Sequence, residues 1–338
     1  MKYVQYKNIV DAIKFPSVIE LGKNFYVIRF ESLKIFSVLE AVRRLLKNGI
    51  IKKGDTLIDS SSGNYAYSLA LVCNQYGLNC HIIASTAVNS TLITQLKILG
   101  ATVEQIKSAK TLKADQRKRV ERIKKILAKN PHIHWMQQYH DDIHYHGYRE
   151  IALLIKETIG TNKLSIIGGV GTGCSTGGIA QHLRKFDNSI ELIGVQPFGS
   201  ITFYDNGIQD PDIMSSGIGS SIPFKNVKHE LYDWIHWIAF KYSMSAAVNL
   251  LKKYGIFAGL ATGASYLVAN RETQTRPNRK IAFIATDTGH SYTDTVFAKY
   301  KNALDITQLI PTQISDLKDL SFPWSCYQWN RQFSLKQK

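Results

Sequence analysis

The chain of 338 residues carries a net charge of +16, and 44% of its residues are hydrophobic and 20% charged. These values are ordinary for a globular protein, and the length suits about two domains with a large core. No apolar run reaches the roughly 20 residues of a membrane helix, and residues 1–7 contain no apolar signal core. We therefore expect a cytoplasmic protein without a membrane partner.

Cysteine and basic residues give two further expectations. The cysteines are Cys73, Cys80, Cys174 and Cys326. Their spacing is not that of metal ligands, so we expect no metal site and no disulfide framework. Bases are concentrated in residues 107–129, whose apolar members include Leu112, Val120, Ile123 and Leu127. This near-helical spacing predicts a helix with a solvated basic face, whereas nucleic-acid binding lacks the supporting interleaved aromatic residues, and we expect no nucleic-acid partner.

Strands and helices alternate along the chain. Predicted strands lie at residues 16–30 (two short strands), 56–59, 80–84, 101–104, 133–136, 164–167, 191–195 and 280–285. Predicted helices are those ending at residues 76 and 156, together with residues 36–48, 90–99, 107–129, 179–185, 243–254 and 264–271. This alternation predicts an α/β fold with parallel strands and helices on both faces, and a second alternating unit begins near His144.

Residues 167–178, here called the glycine loop, read I-G-G-V-G-T-G-C-S-T-G-G. They join a predicted strand to a predicted helix. Glycine lets the backbone approach a ligand closely, and N–H groups at a helix start favour an anion. The loop therefore predicts a phosphate site, although a tight turn without a ligand has the same pattern. No Gly-Lys-Ser/Thr closes it as in a Walker loop, and the G-x-G-x-x-G spacing with a downstream acid is absent.

Polar residues also follow other predicted strands. Lys34 comes after Y-V-I-R-F-E, residues 60–64 form the turn S-S-S-G-N, here called the serine turn, and Gln138 follows I-H-W-M. Taken singly, Lys34 is equally compatible with a surface lysine at a helix start. The serine turn is likewise compatible with a simple helix cap.

Taken together, these motifs resemble the fold-type II pyridoxal-phosphate enzymes, the cysteine synthase and cystathionine β-synthase family. The resemblance covers about residues 16–297 and rests on motifs that agree in order and spacing. It implies a two-domain, tryptophan synthase β-like α/β fold, in which each domain is a mostly parallel sheet flanked by helices. The implied domains are a smaller, mobile one at residues 36–143 and a larger, cofactor-binding one at residues 1–35 and 144–300. An aromatic tail at residues 301–338 is expected to pack on the body or across a dimer interface.

The resemblance also implies roles for individual residues. Lys34 would hold pyridoxal 5′-phosphate as a Schiff base and act as general base, and Asn64 would bond the cofactor's 3-hydroxyl. The substrate carboxylate would be bound by Ser61, Ser62, Gly63 and Gln138. The cofactor phosphate would be bound by Gly171, Thr172, Gly173, Cys174 and Ser175. Gly217 and Ile218 would lie over the substrate.

The chain departs from the family pattern at particular positions. Ile35-Phe36 replaces Asp-Arg after the lysine, and Tyr65-Ala66 replaces Thr-Gly after the asparagine. Ala261 stands where the family has a serine that bonds the pyridine nitrogen. We expect an ordered water or a threonine hydroxyl to replace that serine; the candidates are Thr262, Thr286 and Thr288.

The implied reaction is β-replacement on an activated L-serine, O-phosphoserine or O-acetylserine, through an aminoacrylate, with an amine or thiol nucleophile and in a homodimer. Residues 194–203, G-V-Q-P-F-G-S-I-T-F, look most like the branch that makes N-(2-amino-2-carboxyethyl)-L-glutamate from O-phosphoserine and glutamate, on the route to 2,3-diaminopropionate. Two alternatives stay open: β-elimination from serine or threonine, and a catalytically silent scaffold that binds the cofactor.

Overall fold

A computed structural model describes residues 5–86, 88, 90–107, 112–204, 207–212 and 217–333. The helices in chain order are α1 (Ile9–Ile13), α2 (Lys34–Lys47), α3 (Asn64–Tyr76), α4 (Ser90–Ile98), α5 (Leu112–Lys129), α6 (Arg149–Thr158), α7 (Cys174–Leu183), α8 (Phe240–Tyr254) and α9 (Leu260–Thr275). The strands are β1 (Ser17–Gly22), β2 (Phe25–Arg29), β3 (Thr56–Ser60), β4 (Asn79–Ser85), β5 (Thr102–Ile106), β6 (His134–Trp135), β7 (Leu164–Gly169), β8 (Glu191–Pro197), β9 (Trp234–Ile238), β10 (Lys280–Ala285), β11 (Thr312–Ile314) and β12 (Trp324–Gln328).

The chain divides into two compact units. The first comprises the residues up to Phe15 together with Ser32–Gly147, and the second comprises Pro16–Glu31 and the residues from Tyr148 onward. The sequence had assigned residues 1–35 as a whole to the larger domain. In the structure α1 packs on α2 and α3, and the Arg43 guanidinium of α2 donates to the Asp11 carboxylate of α1 at 3.0 Å, which ties the first residues to the first unit.

The first unit is built on a parallel sheet with the strand order β5-β4-β3-β6. Helix α5 packs its apolar side on this sheet, where Ile123 and Ile126 join Ile58 and Ile83 in a buried cluster. Most of the described bases of α5, among them Lys124, lie on the exposed side. The predicted solvated basic face is therefore present, and the exception is a buried arginine described below.

The second unit is built on a mixed sheet with the order β1-β2-β10-β7-β8-β9-β12-β11. The run from β2 to β9 is parallel, whereas β1 pairs antiparallel at one side. Helices α8 and α9 cover the sheet, and residues such as Tyr266 and Phe283 form its core. Both units thus agree with the predicted parallel sheets flanked by helices.

The C-terminal tail is part of the second sheet. Strand β12 pairs antiparallel with β9, with Trp324 opposite Ile238, and β11 pairs with β12. Trp324, Cys326 and Trp329 are buried. The tail therefore packs on the body of its own chain, one of the two arrangements expected from its aromatic composition. Among the helices of the described residues, none is long and apolar enough to cross a membrane.

Candidate active site

Lys34 is the first residue of α2 in the first unit. The predicted helix began at residue 36, and the observed start places the lysine inside the first turn. The residues on either side of it, Leu33 and Ile35, are buried, as is Phe36. The apolar pair that replaces the family's Asp-Arg therefore anchors the helix start in the core, while Lys34 is the partly exposed residue of this turn.

His144 holds this first turn against the strand that leads to Gln138. Its Nε2 donates to the carbonyl of Met136 at 2.9 Å, so its Nδ1 accepts from the Ser37 hydroxyl at 3.0 Å. Burial lowers the pKa of His144, and the charge of Lys34 lowers it further, so a neutral imidazole lies beside the lysine. No chemical role could be predicted for His144, because a single histidine in a polar turn has no motif around it.

The serine turn connects β3 to α3. The Ser61 hydroxyl accepts from the N–H groups of Gly63 at 3.4 Å and Ala66 at 3.2 Å, so it caps the helix start, while Ser62 is exposed. Asn64 is the first residue of α3. The turn thus combines a capped helix start, the simpler interpretation of its sequence, with hydroxyl and N–H groups at the positive end of a helix, which suits an anion.

Gln138 lies against this turn, as the resemblance implied. Its side-chain amide donates to the Ser60 carbonyl at 2.7 Å, and its backbone N–H donates to the Asp59 carboxylate at 3.0 Å. The Asp59 carboxylate also accepts from the Ser60 N–H at 2.7 Å and from the Trp135 indole at 3.3 Å. Burial raises the pKa of Asp59 to about 6, although these hydrogen bonds oppose the shift. Asp59 therefore joins the ends of β3 and β6.

Arg119 is a polar residue near the serine turn that the sequence misplaced, since it was counted with the solvated bases of residues 107–129. It is buried, and its guanidinium donates to the hydroxyls of Ser60 at 3.1 Å and Ser62 at 3.2 Å. Asp115 lies one helical turn earlier, with 3.2 Å between its Oδ2 and the arginine Nε, and Asp115 accepts from Ser85 at 3.1 Å. The signal available in the sequence was the spacing of Asp115 and Arg119, four residues apart on one predicted helix, which allows an ion pair. Arg119 thus places a guanidinium, ion-paired with Asp115, beneath the serine turn.

The glycine loop forms a strand-to-helix cup in the second unit. Gly173 has φ +83° and directly precedes α7. A Cβ at Gly171 would lie 2.6 Å from the Gly217 carbonyl oxygen, and a Cβ at Gly173 would lie 2.6 Å from the carbonyl oxygen of Asn226. Thr172 and Cys174 are buried, and Ser175 is partly exposed. Only glycine fits at both positions, because the loop packs closely on these two backbones. The backbone N–H groups at the start of α7 suit a small anion.

Other predicted residues of the second unit lie around the same loop. A Cβ at Gly169 would clash with Ile218 and would lie 3.6 Å from Ala261, so β7, Ile218 and the start of α9 meet here. Thr262 is fully buried, and its hydroxyl oxygen accepts from the Thr286 N–H at 3.2 Å. A hydroxyl that accepts one bond also has a hydrogen to donate. The proposal that this hydroxyl replaces the family serine stays a prediction.

The donor set of each unit fits pyridoxal phosphate. The second unit supplies a glycine loop followed by a helix start, whose backbone N–H groups are the environment that a phosphate needs. The first unit supplies a lysine amine for an aldehyde, and a helix start with hydroxyl, amide and guanidinium groups for carboxylate and phenol oxygens. The predicted residues Lys34, Ser61 and Gln138 lie in the first unit, and Gly171 to Ser175 lie in the second.

Comparison with known proteins agrees with this chemistry. A family model described as "Pyridoxal-phosphate dependent enzyme" matches residues 21–287. A relative from Ralstonia nicotianae, named N-(2-amino-2-carboxyethyl)-L-glutamate synthase, is 29% identical over 314 residues and covers 86% of this chain and 89% of its own. A relative of the same name from Cupriavidus metallidurans is 29% identical over 263 residues and covers 76% of each chain.

The fold is also that of solved structures. Cysteine synthase from Entamoeba histolytica superposes with a TM-score of 0.79 at 22% identity, covering 91% of this chain and 95% of that chain. The predicted two-domain α/β fold and the resemblance to the cysteine synthase family are therefore confirmed. With most of its length matched by the family model, the chain belongs to the family of pyridoxal-phosphate dependent enzymes.

Proposed function

We propose that this enzyme catalyses β-replacement on an activated L-serine, with O-phosphoserine as the donor and the amine of glutamate as the nucleophile. The observation that carries the proposal is the serine turn of the first unit, with Arg119 bonded to the Ser60 and Ser62 hydroxyls and Gln138 bonded to the Ser60 carbonyl. This arrangement suits an anionic amino acid. The names of the relatives, which give N-(2-amino-2-carboxyethyl)-L-glutamate as the product, support glutamate as the nucleophile.

The proposed cofactor contacts follow the chemistry of each group. Lys34 would bind the aldehyde carbon through Nζ, Asn64 would bond the 3-hydroxyl, and Thr262 would face the pyridine nitrogen. Gly171, Thr172, Gly173, Cys174 and Ser175 would hold the phosphate. When bound, pyridoxal phosphate withdraws electrons from the α-carbon of an amino acid.

The protein residues would handle the proton and the carboxylate. The serine turn and Gln138 would hold the substrate α-carboxylate, and Arg119 would fix the Ser62 hydroxyl and add positive charge. The substrate amine would first displace Lys34 from the aldehyde carbon. The freed Nζ of Lys34 would then remove the proton from Cα, and phosphate would leave Cβ with the bonding electron pair. The amine of glutamate would then bond to Cβ and lose a proton, and Lys34 would return a proton to Cα. The products balance as N-(2-amino-2-carboxyethyl)-L-glutamate and inorganic phosphate.

The test is an incubation of the purified holoenzyme with O-phosphoserine and glutamate, analysed by mass spectrometry. The expected result is the carboxyethyl-glutamate product together with an equal amount of phosphate. O-acetylserine in place of O-phosphoserine measures how far the donor phosphate matters, and omission of glutamate measures elimination. Pyruvate and ammonia in equal yield with and without glutamate would replace the proposal by β-elimination.

A silent cofactor-binding protein is the second candidate, because Ala261 and Tyr65 stand where the family has a serine and a threonine. Tyr65 is buried and its ring lies edge-on to His144, with the centroids 5.6 Å apart, so this wall of the serine turn is bulkier than usual. A holoprotein that consumes neither O-phosphoserine nor O-acetylserine would favour this candidate. Replacement of Tyr65 by Thr would then test whether the bulk of the ring prevents turnover.

We also propose that the enzyme is a cytoplasmic homodimer. The resemblance to dimeric enzymes supports the assembly. All the cysteines are free and buried, which suits a reducing compartment. Size-exclusion chromatography with light scattering measures the assembly directly, and the expected mass is twice the 38.1 kDa of the chain. A monomer at micromolar concentration contradicts the proposal.

A further inference from the structure

The C-terminal tail lies beyond residue 287, where the family match ends. It nevertheless packs against a cluster of aromatic side chains in the second unit. Trp329, which directly follows β12, is fully buried. Its ring lies edge-on to Phe203 at 5.1 Å and close to His229 at 5.8 Å. Phe203 in turn lies edge-on to Tyr232 at 5.0 Å. Phe203 therefore lies between the Trp329 ring of the tail and the Tyr232 ring.

Ionic and backbone bonds fix the tail to the same segment. The backbone N–H of Trp329 donates to the Asp233 carbonyl at 2.7 Å, and that of Arg331 donates to the Tyr232 carbonyl at 2.8 Å. The Arg331 guanidinium donates to one carboxylate oxygen of Asp233 at 2.8 Å, and Arg184, at the end of α7, donates to the other at 2.7 Å. Asp233 thus joins the tail to the helix that begins at the glycine loop.

Tyr232 forms a hydrogen bond at the opposite end of α7. Its hydroxyl lies 2.7 Å from the Thr176 hydroxyl, in the first turn of α7. Thr176 donates to the Gly173 carbonyl at 3.5 Å, so Tyr232 is the donor to Thr176. Burial raises the pKa of Tyr232 above its ordinary value, which keeps the donor proton in place. The bonds lead from the tail to Gly173, the residue of the cup with φ +83°.

We propose that Tyr232, which Trp329 of the tail supports through Phe203, is a positioning residue for the cofactor phosphate. The tail is thereby part of the cofactor site although it lies outside the family match. The tyrosine fixes the direction of the first turn of α7 and hence of the N–H groups that bind the phosphate. The proposal rests on membership of the pyridoxal-phosphate family and not on the proposed reaction, so it stands whichever reaction the enzyme catalyses.

The test compares variants matched in chemistry. Tyr232→Phe removes only the hydroxyl, and Tyr266→Phe removes a buried hydroxyl bonded to Asn249 at 2.9 Å, away from the loop. Trp329→Phe shrinks the ring beside Phe203, and Trp324→Phe does the same at the other end of β12, where Trp324 packs in the main core. Each apoprotein is titrated with pyridoxal phosphate. In a separate titration with inorganic phosphate, the rise in melting temperature measures binding.

We expect Tyr232→Phe and Trp329→Phe to weaken pyridoxal phosphate binding about tenfold, as the loss of an oriented hydrogen bond predicts, and to reduce the stabilisation by inorganic phosphate. The two controls should bind both ligands within about twofold of the parent, whatever they lose in stability. Equal binding by Tyr232→Phe and the parent would overturn the proposal, as would equal losses in Tyr232→Phe and Tyr266→Phe. Tyr232→Phe keeps the ring, so it decides the matter even where Trp329→Phe does not fold.

Discussion

Lys34 takes its importance from its place in the first turn of α2, between the buried residues Leu33 and Ile35. Replacement of Lys34 by Ala removes the amine and leaves this apolar anchoring intact. Borohydride reduction of the parent holoenzyme should attach the cofactor to the peptide containing residue 34, and the variant should show no attachment there. Turnover should fall at least about 100-fold, since the general base is lost as well.

Lys47→Ala is the control, because Lys47 is an exposed lysine at the other end of the same helix. It should retain both labelling and turnover. Attachment of the cofactor to a lysine other than Lys34 in the parent would show that the first unit has been matched to the family incorrectly.

Asp59 should make the stability of the protein depend on pH. Its pKa in the folded chain is about 6, raised from 3.8 by burial, so the folded state binds the proton more tightly than the unfolded state. The stability from this group is complete below pH 3.8 and is lost as the pH rises through about 6. The slope for one such group reaches at most about 1.36 kcal/mol per pH unit.

Urea unfolding of the parent and of Asp59→Asn between pH 4 and 7 separates this contribution from that of other groups. The variant should be less stable overall, because an amide cannot accept all the bonds from Ser60, Trp135 and Gln138. The difference in unfolding free energy between the parent and the variant should nevertheless shrink as the pH rises from 4 to 6. A difference between the two proteins that is constant over this range would contradict the assignment of the raised pKa to Asp59.

At the scale of elements, a substitution in the turn between β7 and α7 can distinguish an effect on cofactor binding from an effect on folding. Gly173→Ala should cost more than the about 1–2 kcal/mol of stability that its positive φ accounts for, because the new Cβ would also meet the Asn226 backbone. It should weaken the binding of pyridoxal phosphate as well. Gly255→Ala is the matched control. Gly255 has φ +71° in the same unit, and a Cβ there meets nothing within 4 Å.

Equilibrium dialysis of the refolded apoproteins against pyridoxal phosphate is the measurement. The control should lose the stability that its positive φ accounts for, without the cost of a clash, and should keep its affinity. Equal affinities in Gly173→Ala and Gly255→Ala would remove the loop from the phosphate site.

The elements with strong local patterns could be predicted from the sequence. The glycine-dense turn after β7, the amphipathic helix after Lys34 and the helix that Gly77 ends are all visible as spacing, and the resemblance added the family. Strands β9 and β12 were not predicted, because a short aromatic segment becomes a strand only when it finds an edge to pair with. Arg119 and His144 were missed for a related reason. Ser60, which Arg119 contacts, is distant along the chain, and Met136, which His144 contacts, belongs to no motif.

At the scale of the whole molecule, the tail should be needed for solubility. Removal of the residues after Tyr300 deletes β11 and β12, which leaves β9 with unpaired N–H and C=O groups at a new sheet edge. It also exposes the core that Trp324 covers. The truncated protein should aggregate or unfold at a lower temperature, as measured by light scattering during a thermal ramp.

Truncation after Phe333 is the control for shortening the C-terminus, because it retains both strands and Arg331. It should behave like the full-length protein. A chain ending at Tyr300 with unchanged solubility and melting temperature would show that the tail strands are dispensable.

The path of the chain through its two units has a consequence for protein synthesis. Strands β1 and β2 belong to the second unit, but the chain leaves that unit at Ser32 and returns at Tyr148. The parallel neighbour of β2 is β10, with Phe25 opposite Ile281. On the ribosome the first unit is therefore complete while the β1–β2 hairpin still awaits its neighbour. The hairpin stays exposed until nearly the whole chain has been translated, which makes it the segment that a chaperone has most reason to protect.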